Sequence, residues 1–306
     1  MNKTLLDVEE NGFYGAYYPN HKESTRVIIV MLGDAVDDRM AVSGVKWFHK
    51  QGCNVMAMSP GKKDYGHHNY PLERFEAAIR YLKAHGNMKI GIAGASTTGM
   101  LALVAASYFQ DISLTIAMSP SDFIMEGFYQ DRLDGARERP GENESSVSYQ
   151  GQPLPYLPYA YRHPLYWQMI KKESKESGNL IASREMFDTS EKLHPVGEEE
   201  KIKIERIKGR IILVGAEDDV LWDTCKYIGR MKKRLESHPH DSEYEALLFQ
   251  YGTHFVFPQT LLEYFLPLVS GLLIRLAFKS GRQNPRECKK TRMTIEAKLS
   301  KAIASW

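Results

Sequence analysis

Short apolar runs alternate with amphipathic stretches along most of this chain, and few architectures accept that pattern. Residues 26–32, 53–58, 90–93 and 113–118 are near-continuous runs of apolar side chains. Runs of this length without polar alternation suit strands buried on both faces of a parallel sheet. Between them lie helical patterns. Residues 40–51 place Val42, Val45, Trp47 and Phe48 at near-helical spacing, and 71–84 place Phe75, Ala78, Ile79 and Leu82 on one face behind Pro71. The pattern returns with a strand at 210–214, a helix at 223–235, a strand at 244–250 and a helix at 259–278. The expectation is an α/β fold, a mostly parallel sheet with helices on both faces. Phe13, Tyr14, Tyr17 and Tyr18 suggest an edge strand or hairpin ahead of it.

The alternation breaks between residues 121 and 208, where no buried strand is evident. A charged stretch at 131–144 leads into a segment holding Pro153, Pro155, Tyr156, Pro158, Tyr159, Tyr161, Pro164, Tyr166 and Trp167. Long insertions in compact domains are commonly lids or binding loops, and the aromatic content argues for order. The segment is expected to form a cap inserted into a single domain. Tyr156, Tyr159 and Tyr161, together with Trp222 beyond it, are candidate substrate contacts for an apolar acyl or aromatic group.

Three strand ends carry the chemistry. The first is Gly94-Ala95-Ser96-Thr97-Thr98-Gly99, between an apolar run and a long apolar helical stretch. A serine at such a strand-turn-helix apex can act as a nucleophile if a base lies within reach. Taken alone, the same serine fits a helix N-cap as well. The second strand end is Glu217-Asp218-Asp219, and the third is Thr253-His254. Ser, Asp and His thus follow one another in the chain order of the α/β-hydrolases, each just past a strand. Ser96 is the expected nucleophile and His254 the base. Asp218 and Asp219 compete for the role of the acid, since adjacent side chains cannot both face the imidazole. An oxyanion hole would draw one N–H from Thr97 and a second from Gly33, Asp34 or Ala35. In the usual elbow the position two beyond the serine is small; here it is Thr98, which is expected to crowd or shift the turn.

These residues resemble the C-terminal catalytic domain shared by acyl-CoA thioesterases and bile acid-CoA:amino acid N-acyltransferases, a dienelactone-hydrolase-like branch of the α/β-hydrolases. The likeness runs from about residue 25 to 280. It rests on Gly94-Ala95-Ser96, Ser119-Pro120-Ser121-Asp122 with Gly127-Phe128, the proline-rich Gly151 to Tyr159 stretch, Asp218 to Trp222, and Tyr251 to His254. The resemblance implies an acyl thioester or ester hydrolase working through an acyl-enzyme. It also favours Asp219 as the acid, three residues before Trp222. Serine in place of the transferase branch's cysteine favours water over an amine as the acceptor. Family members often carry a β-sandwich domain ahead of the catalytic one, and none is expected in these 306 residues. Two other readings stay open: a non-catalytic acyl-binding or scaffold protein on the same fold, and an acyltransferase to an amine.

Other features bound the partners. The net charge of +2 gives no global field for nucleic acid. No apolar run is long enough to span a membrane. The start lacks the apolar core of a signal peptide, and Cys53, Cys225 and Cys288 are isolated. A reduced, cytoplasmic setting is expected. His67-His68 and His238-Pro239-His240 have no second ligand cluster, so no metal is expected, and no dinucleotide or phosphate-loop motif calls for a cofactor. Lys171 and Lys172 are weak candidates for contacts to CoA phosphates. Homo-oligomerisation is left open. The basic tail, 279–306, is expected to be a solvated helix rather than a site for an anionic ligand or a membrane surface.

Overall fold

The computed structural model describes residues 1–60, 67–127, 145–161, 165–267 and 270–306. The 131–144 stretch, Phe128 and Pro164 lie outside these residues.

Eight strands form the main sheet: β1 (Thr4–Leu6), β2 (Gly15–Tyr18), β3 (Arg26–Met31), β4 (Asn54–Met58), β5 (Lys89–Ala95), β6 (Ile112–Met118), β7 (Arg210–Ala216) and β8 (Glu243–Phe249). Their spatial order is β1-β2-β4-β3-β5-β6-β7-β8. From β4 through β8 every pairing is parallel, and only β1 and β2 run antiparallel. The expected α/β architecture is the one observed, with the aromatic hairpin at the edge.

Period-two alternation divides the strand residues between two cores. Val27, Ile29 and Met31 join Ile90, Ile92 and Leu213 on one face. Ile28 and Val30 join Val55, Ile116 and Val214 on the other. The first face packs against helices α2 (Glu73–Ala84) and α3 (Thr97–Tyr108), the second against α1 (Arg39–Lys50). Met100 through Ala106 are all buried, as expected of a helix apolar on every side.

The β6–β7 connection spans the irregular segment. It contains α4 (Leu165–Ser177) and α5 (Arg184–Leu193). Short strands at Val147–Tyr149 and Gln152–Pro153 form a small second sheet with Tyr70–Pro71. Pro71 therefore sits in a strand, and α2 starts two residues later than the sequence suggests.

The C-terminal region departs most from expectation. After α6 (Thr224–Ser237), the stretch read as one helix is α7 (Gln259–Phe265) and α8 (Ser270–Ala277). Leu266, before Pro267, has left the helical region at φ −135°, ψ 80°, because a proline disfavours helical backbone at the preceding residue. The tail forms α9 (Lys279–Gln283) and α10 (Pro285–Ser305). It is not a solvated appendage: Cys288, Thr291, Ile295, Leu299, Ala302 and Ile303 are buried. Ile295, Leu299, Ala302 and Ile303 complete the second core. Arg26 Nη1 donates to the Ile303 carbonyl at 2.7 Å, and Trp306 Nε1 donates to Ser113 Oγ at 3.0 Å.

Candidate active site

Ser96 stands between β5 and α3 at φ 60°, ψ −128°. That backbone region is costly for a residue with a Cβ, at about 1–3 kcal/mol. The strain is held in place from below. Ser96 N–H donates to the Met118 carbonyl at the end of β6 (2.8 Å), and its carbonyl accepts from Met100 N–H (3.1 Å). The side chain makes no capping hydrogen bond, so the N-cap reading of this serine fails.

The turn closes tightly. A Cβ on Gly94 would lie 2.1 Å from the Thr98 carbonyl oxygen, and one on Gly99 would lie 2.9 Å from that of Met118. Thr98 does not crowd the elbow as the sequence suggests. Its hydroxyl folds under the turn, accepting from Ala95 N–H (3.1 Å) and lying within donating distance of the Met31 (2.7 Å) and Ala95 (2.8 Å) carbonyls. Thr98 thereby ties the elbow to the end of β3. Thr98→Val would leave these groups without their hydroxyl. It should destabilise the protein by about 1–3 kcal/mol, read from the urea midpoint, while Thr98→Ser should recover most of the loss.

The two adjacent aspartates past β7 take different tasks. Asp219 is fully buried, and its Oδ2 lies 2.8 Å from His254 Nδ1. The same carboxylate accepts from Leu221 N–H (2.9 Å) and Thr224 Oγ1 (2.5 Å). Asp218 faces the other way. Its Oδ1 accepts from the N–H groups of Gly252 (2.8 Å) and Thr253 (2.7 Å), and its Oδ2 from Ser280 Oγ (2.5 Å). Asp218 thus grips the backbone that presents His254. Burial raises its pKa above the usual carboxylate value, although these three donors pull the other way.

With Nδ1 committed to Asp219, the remaining ring nitrogen of His254 is Nε2. It is buried and makes no hydrogen bond among the described residues, Ser96 included. Nucleophile–base links in unliganded enzymes are commonly long and tighten once substrate binds. Trp222 packs edge-on against the imidazole, with ring centroids 4.8 Å apart at 88°. Its Nε1 donates to the Ser119 carbonyl (3.2 Å), and Ser119 Oγ donates to the His254 carbonyl (3.0 Å). Ser119 (φ 47°) and Thr253 (φ 58°), like Ser96, have positive φ. Such conformations persist only where the surroundings over-determine them; here all three lie past strand ends, and Thr253 and Ser119 adjoin His254.

The expected oxyanion donors separate. Asp34 and Ala35 are corrected: their N–H groups donate to Asp38 Oδ2 at 2.7 and 3.1 Å. The same carboxylate caps α1 through Ala41 N–H at 2.9 Å, so both amides are spent on the helix start. Thr97 opens α3, and Gly33 has φ +87°, with a Cβ there falling 2.3 Å from Asp38.

Of the four aromatic candidates, Trp222 packs against His254. Tyr159 is buried beneath it, two contacts away: it packs on Phe187 at 5.5 Å, and Phe187 on Trp222 at 5.2 Å. Tyr156 and Tyr161 are half-buried against the first core. Ser119, Thr224 and Ser280 are site residues that the sequence reading gave no role. Elsewhere, the Arg230 guanidinium grips buried Asp122 through two hydrogen bonds, one of 2.6 Å. Among the described residues, no group of three His, Cys, Asp or Glu side chains could hold a metal ion. His67 is buried, which pulls its pKa down to about 4.

Residues 70–261, more than half of the chain, match the family described as BAAT / Acyl-CoA thioester hydrolase C terminal. The chain belongs to this family. Among solved structures, it resembles MGS-M1, an alpha/beta hydrolase enzyme from a Medee basin deep-sea metagenome library. That likeness has 13% identity, 100% of this chain and 99% of that one covered, and a TM-score of 0.51. Est1E from Butyrivibrio proteoclasticus aligns at 12% identity over 94% of this chain and 99% of its own, with a TM-score of 0.44. At such identities the likeness to MGS-M1 speaks to the fold alone. No curated protein matches. The BAAT / acyl-CoA thioester hydrolase assignment, joined to the observed sheet, gives an α/β-hydrolase of the ester and thioester class. No described helix is long and apolar enough to cross a membrane.

Proposed function

We propose that the protein is a serine hydrolase that cleaves an acyl thioester or ester through an acyl-enzyme on Ser96. The observation that carries this reading is the buried Asp219–His254 pair, 2.8 Å apart, with Nε2 left open. A scaffold protein has no need of a dyad poised in this way.

In this mechanism Ser96 Oγ attacks the acyl carbonyl while its proton passes to His254 Nε2. The N–H groups of Thr97 and Gly33 receive the developing oxyanion. Asp219 keeps the Nδ1–H tautomer and stabilises the imidazolium. Collapse expels the thiolate or alkoxide, which takes the proton from Nε2. Water then attacks the acyl-serine by the same route, losing its proton to His254, and releases the acid. The β6–β7 insertion would act as the cap, with Trp222 and Phe187 as its contact to the base.

Treatment with a fluorophosphonate probe, with the adduct located by mass spectrometry, tests the reading. Rapid labelling at Ser96 is expected, with at least a hundredfold slower labelling in His254→Ala, in keeping with the contribution of a positioned general base. Unlabelled, folded wild-type protein would reject an activated serine. A panel of acyl-CoA thioesters and carboxylic esters then fixes the bond cleaved. An amide product on adding an amine would instead mark a transferase.

A further inference from the structure

We infer that the face formed by α8 and α10 docks on an anionic phospholipid surface. The inference stands independently of the hydrolase reading.

Two features coincide on this face. The first is apolar. On α8, Ile274 and Ala277 turn into the core, while Leu272, Leu273 and Leu276 are 51%, 46% and 65% exposed. Spacings of three and four residues place these leucines on one side of the helix. Leu180 extends the patch: it is 77% exposed, and its N–H donates to the Ala277 carbonyl at 2.7 Å. A cluster of exposed leucines on one helical face is unlike the scattered apolar residues of ordinary surfaces.

The second feature is charge. Residues 270–306 hold nine Lys and Arg against Glu287 and Glu296, in a chain whose total is only +2. Glu296 is already engaged by Thr260. A cleft of about 370 Å³ between α8 and α10 is walled by Leu272, Arg275, Arg286, Lys289 and Arg292, and no carboxylate lines it. Arg292 is 4% exposed; its Nε donates to Gln259 Oε1 at 2.8 Å, and its Nη1 has no hydrogen-bond partner among the described residues. An adjoining cleft shares Arg286 and Lys289 and continues past Lys290 and Met293 to Lys301, again without an acid. The basic clefts therefore meet the leucine face at Leu272.

Leucines flanked by lysines and arginines form the pattern of a helix lying in the plane of a bilayer interface. Nucleic acid would use the charge and leave the leucines in water. A second copy presenting the same face would meet like charge.

Co-sedimentation of the full chain with phosphatidylcholine vesicles, with and without phosphatidylserine, tests the inference. Binding is expected to the phosphatidylserine vesicles and to weaken with salt. Each lysine near such a surface contributes about fivefold, so Lys289→Gln/Lys290→Gln/Lys301→Gln should lose on the order of a hundredfold. Leu272→Ser/Leu276→Ser should also release the protein. Both variants should keep the wild-type circular dichroism, and Ser96→Ala should bind as wild type does. Absence of binding, or equal binding to both vesicles, overturns the inference. Dimers in analytical ultracentrifugation that Leu272→Ser/Leu276→Ser dissolves, without vesicle binding, would assign the face to a second copy instead.

Discussion

Ser96→Ala should lower turnover on the best substrate by on the order of 10⁶-fold, because nucleophile, base and acid act as one unit. The residual rate is expected to be that of binding and the oxyanion donors alone. Fold stability should not fall with it. The hydroxyl makes no capping bond, and the backbone at φ 60° is held against its preference. Ser96→Gly removes the Cβ that makes this conformation costly. It should therefore raise the unfolding free energy by about 1–2 kcal/mol while abolishing activity. Stability and turnover moving in opposite directions at one residue would show that the elbow is maintained for chemistry. A loss of stability in Ser96→Gly would contradict that account. Chemical denaturation of the variants beside wild type, with turnover measured in parallel, decides it.

Asp218 and Asp219 should answer the same substitution in different ways. Asp219→Asn keeps the volume but places an amide opposite His254 Nδ1, favouring the wrong tautomer. A loss of about 10⁴-fold in kcat is expected, with folding retained. Asp218→Asn keeps an oxygen for the Gly252 and Thr253 amides and can donate to Ser280, so activity should stay within about tenfold of wild type, as for a conservative change outside the proton path. Asp218→Ala leaves both amides without an acceptor, and about 2–4 kcal/mol of stability should be lost. The pH dependence separates charge from hydrogen bonding. The pKa of Asp218 is raised in the folded state, so its stabilising contribution is full below the unfolded carboxylate value and declines as pH rises through the folded one. Asp218→Asn should therefore gain on wild type as pH climbs from about 4 toward neutrality. A constant difference across that range would mean that the charge does not matter.

Much of the fold was legible because each signal is local. An apolar run followed by an amphipathic one reports its own segment, and the sheet follows from the alternation. The same holds for the turns that bear Ser96, Asp219 and His254. What was illegible depends on direction or distance. Nothing in a pair of adjacent aspartates says which points inward; that follows from the loop at 252–254 and from Ser280, 62 residues beyond Asp218. The Asp34 and Ala35 amides were misread although a signal existed, since Asp38 just before an amphipathic stretch marks an N-cap. In the tail, charge obscured pattern: Cys288, Thr291, Ile295, Leu299 and Ala302 recur at helical spacing, but lysines and arginines dominate the composition there.

The partners of α10 give the site an order of assembly. Thr291 Oγ1 donates to the Tyr251 carbonyl at 2.5 Å, three residues before His254. Ile303 and Trp306 reach back to Arg26 and to Ser113. Translation delivers the strand before Ser96, then Asp219, then His254, and only afterwards the helix that clamps the loop carrying His254. While the chain is still emerging from the ribosome, with folding proceeding from the N-terminal side, Ser96 and Asp219 can be seated without a fixed imidazole between them. On the proposed mechanism, the nascent protein would pass through synthesis with its chemistry disarmed and become competent only once α10 has docked.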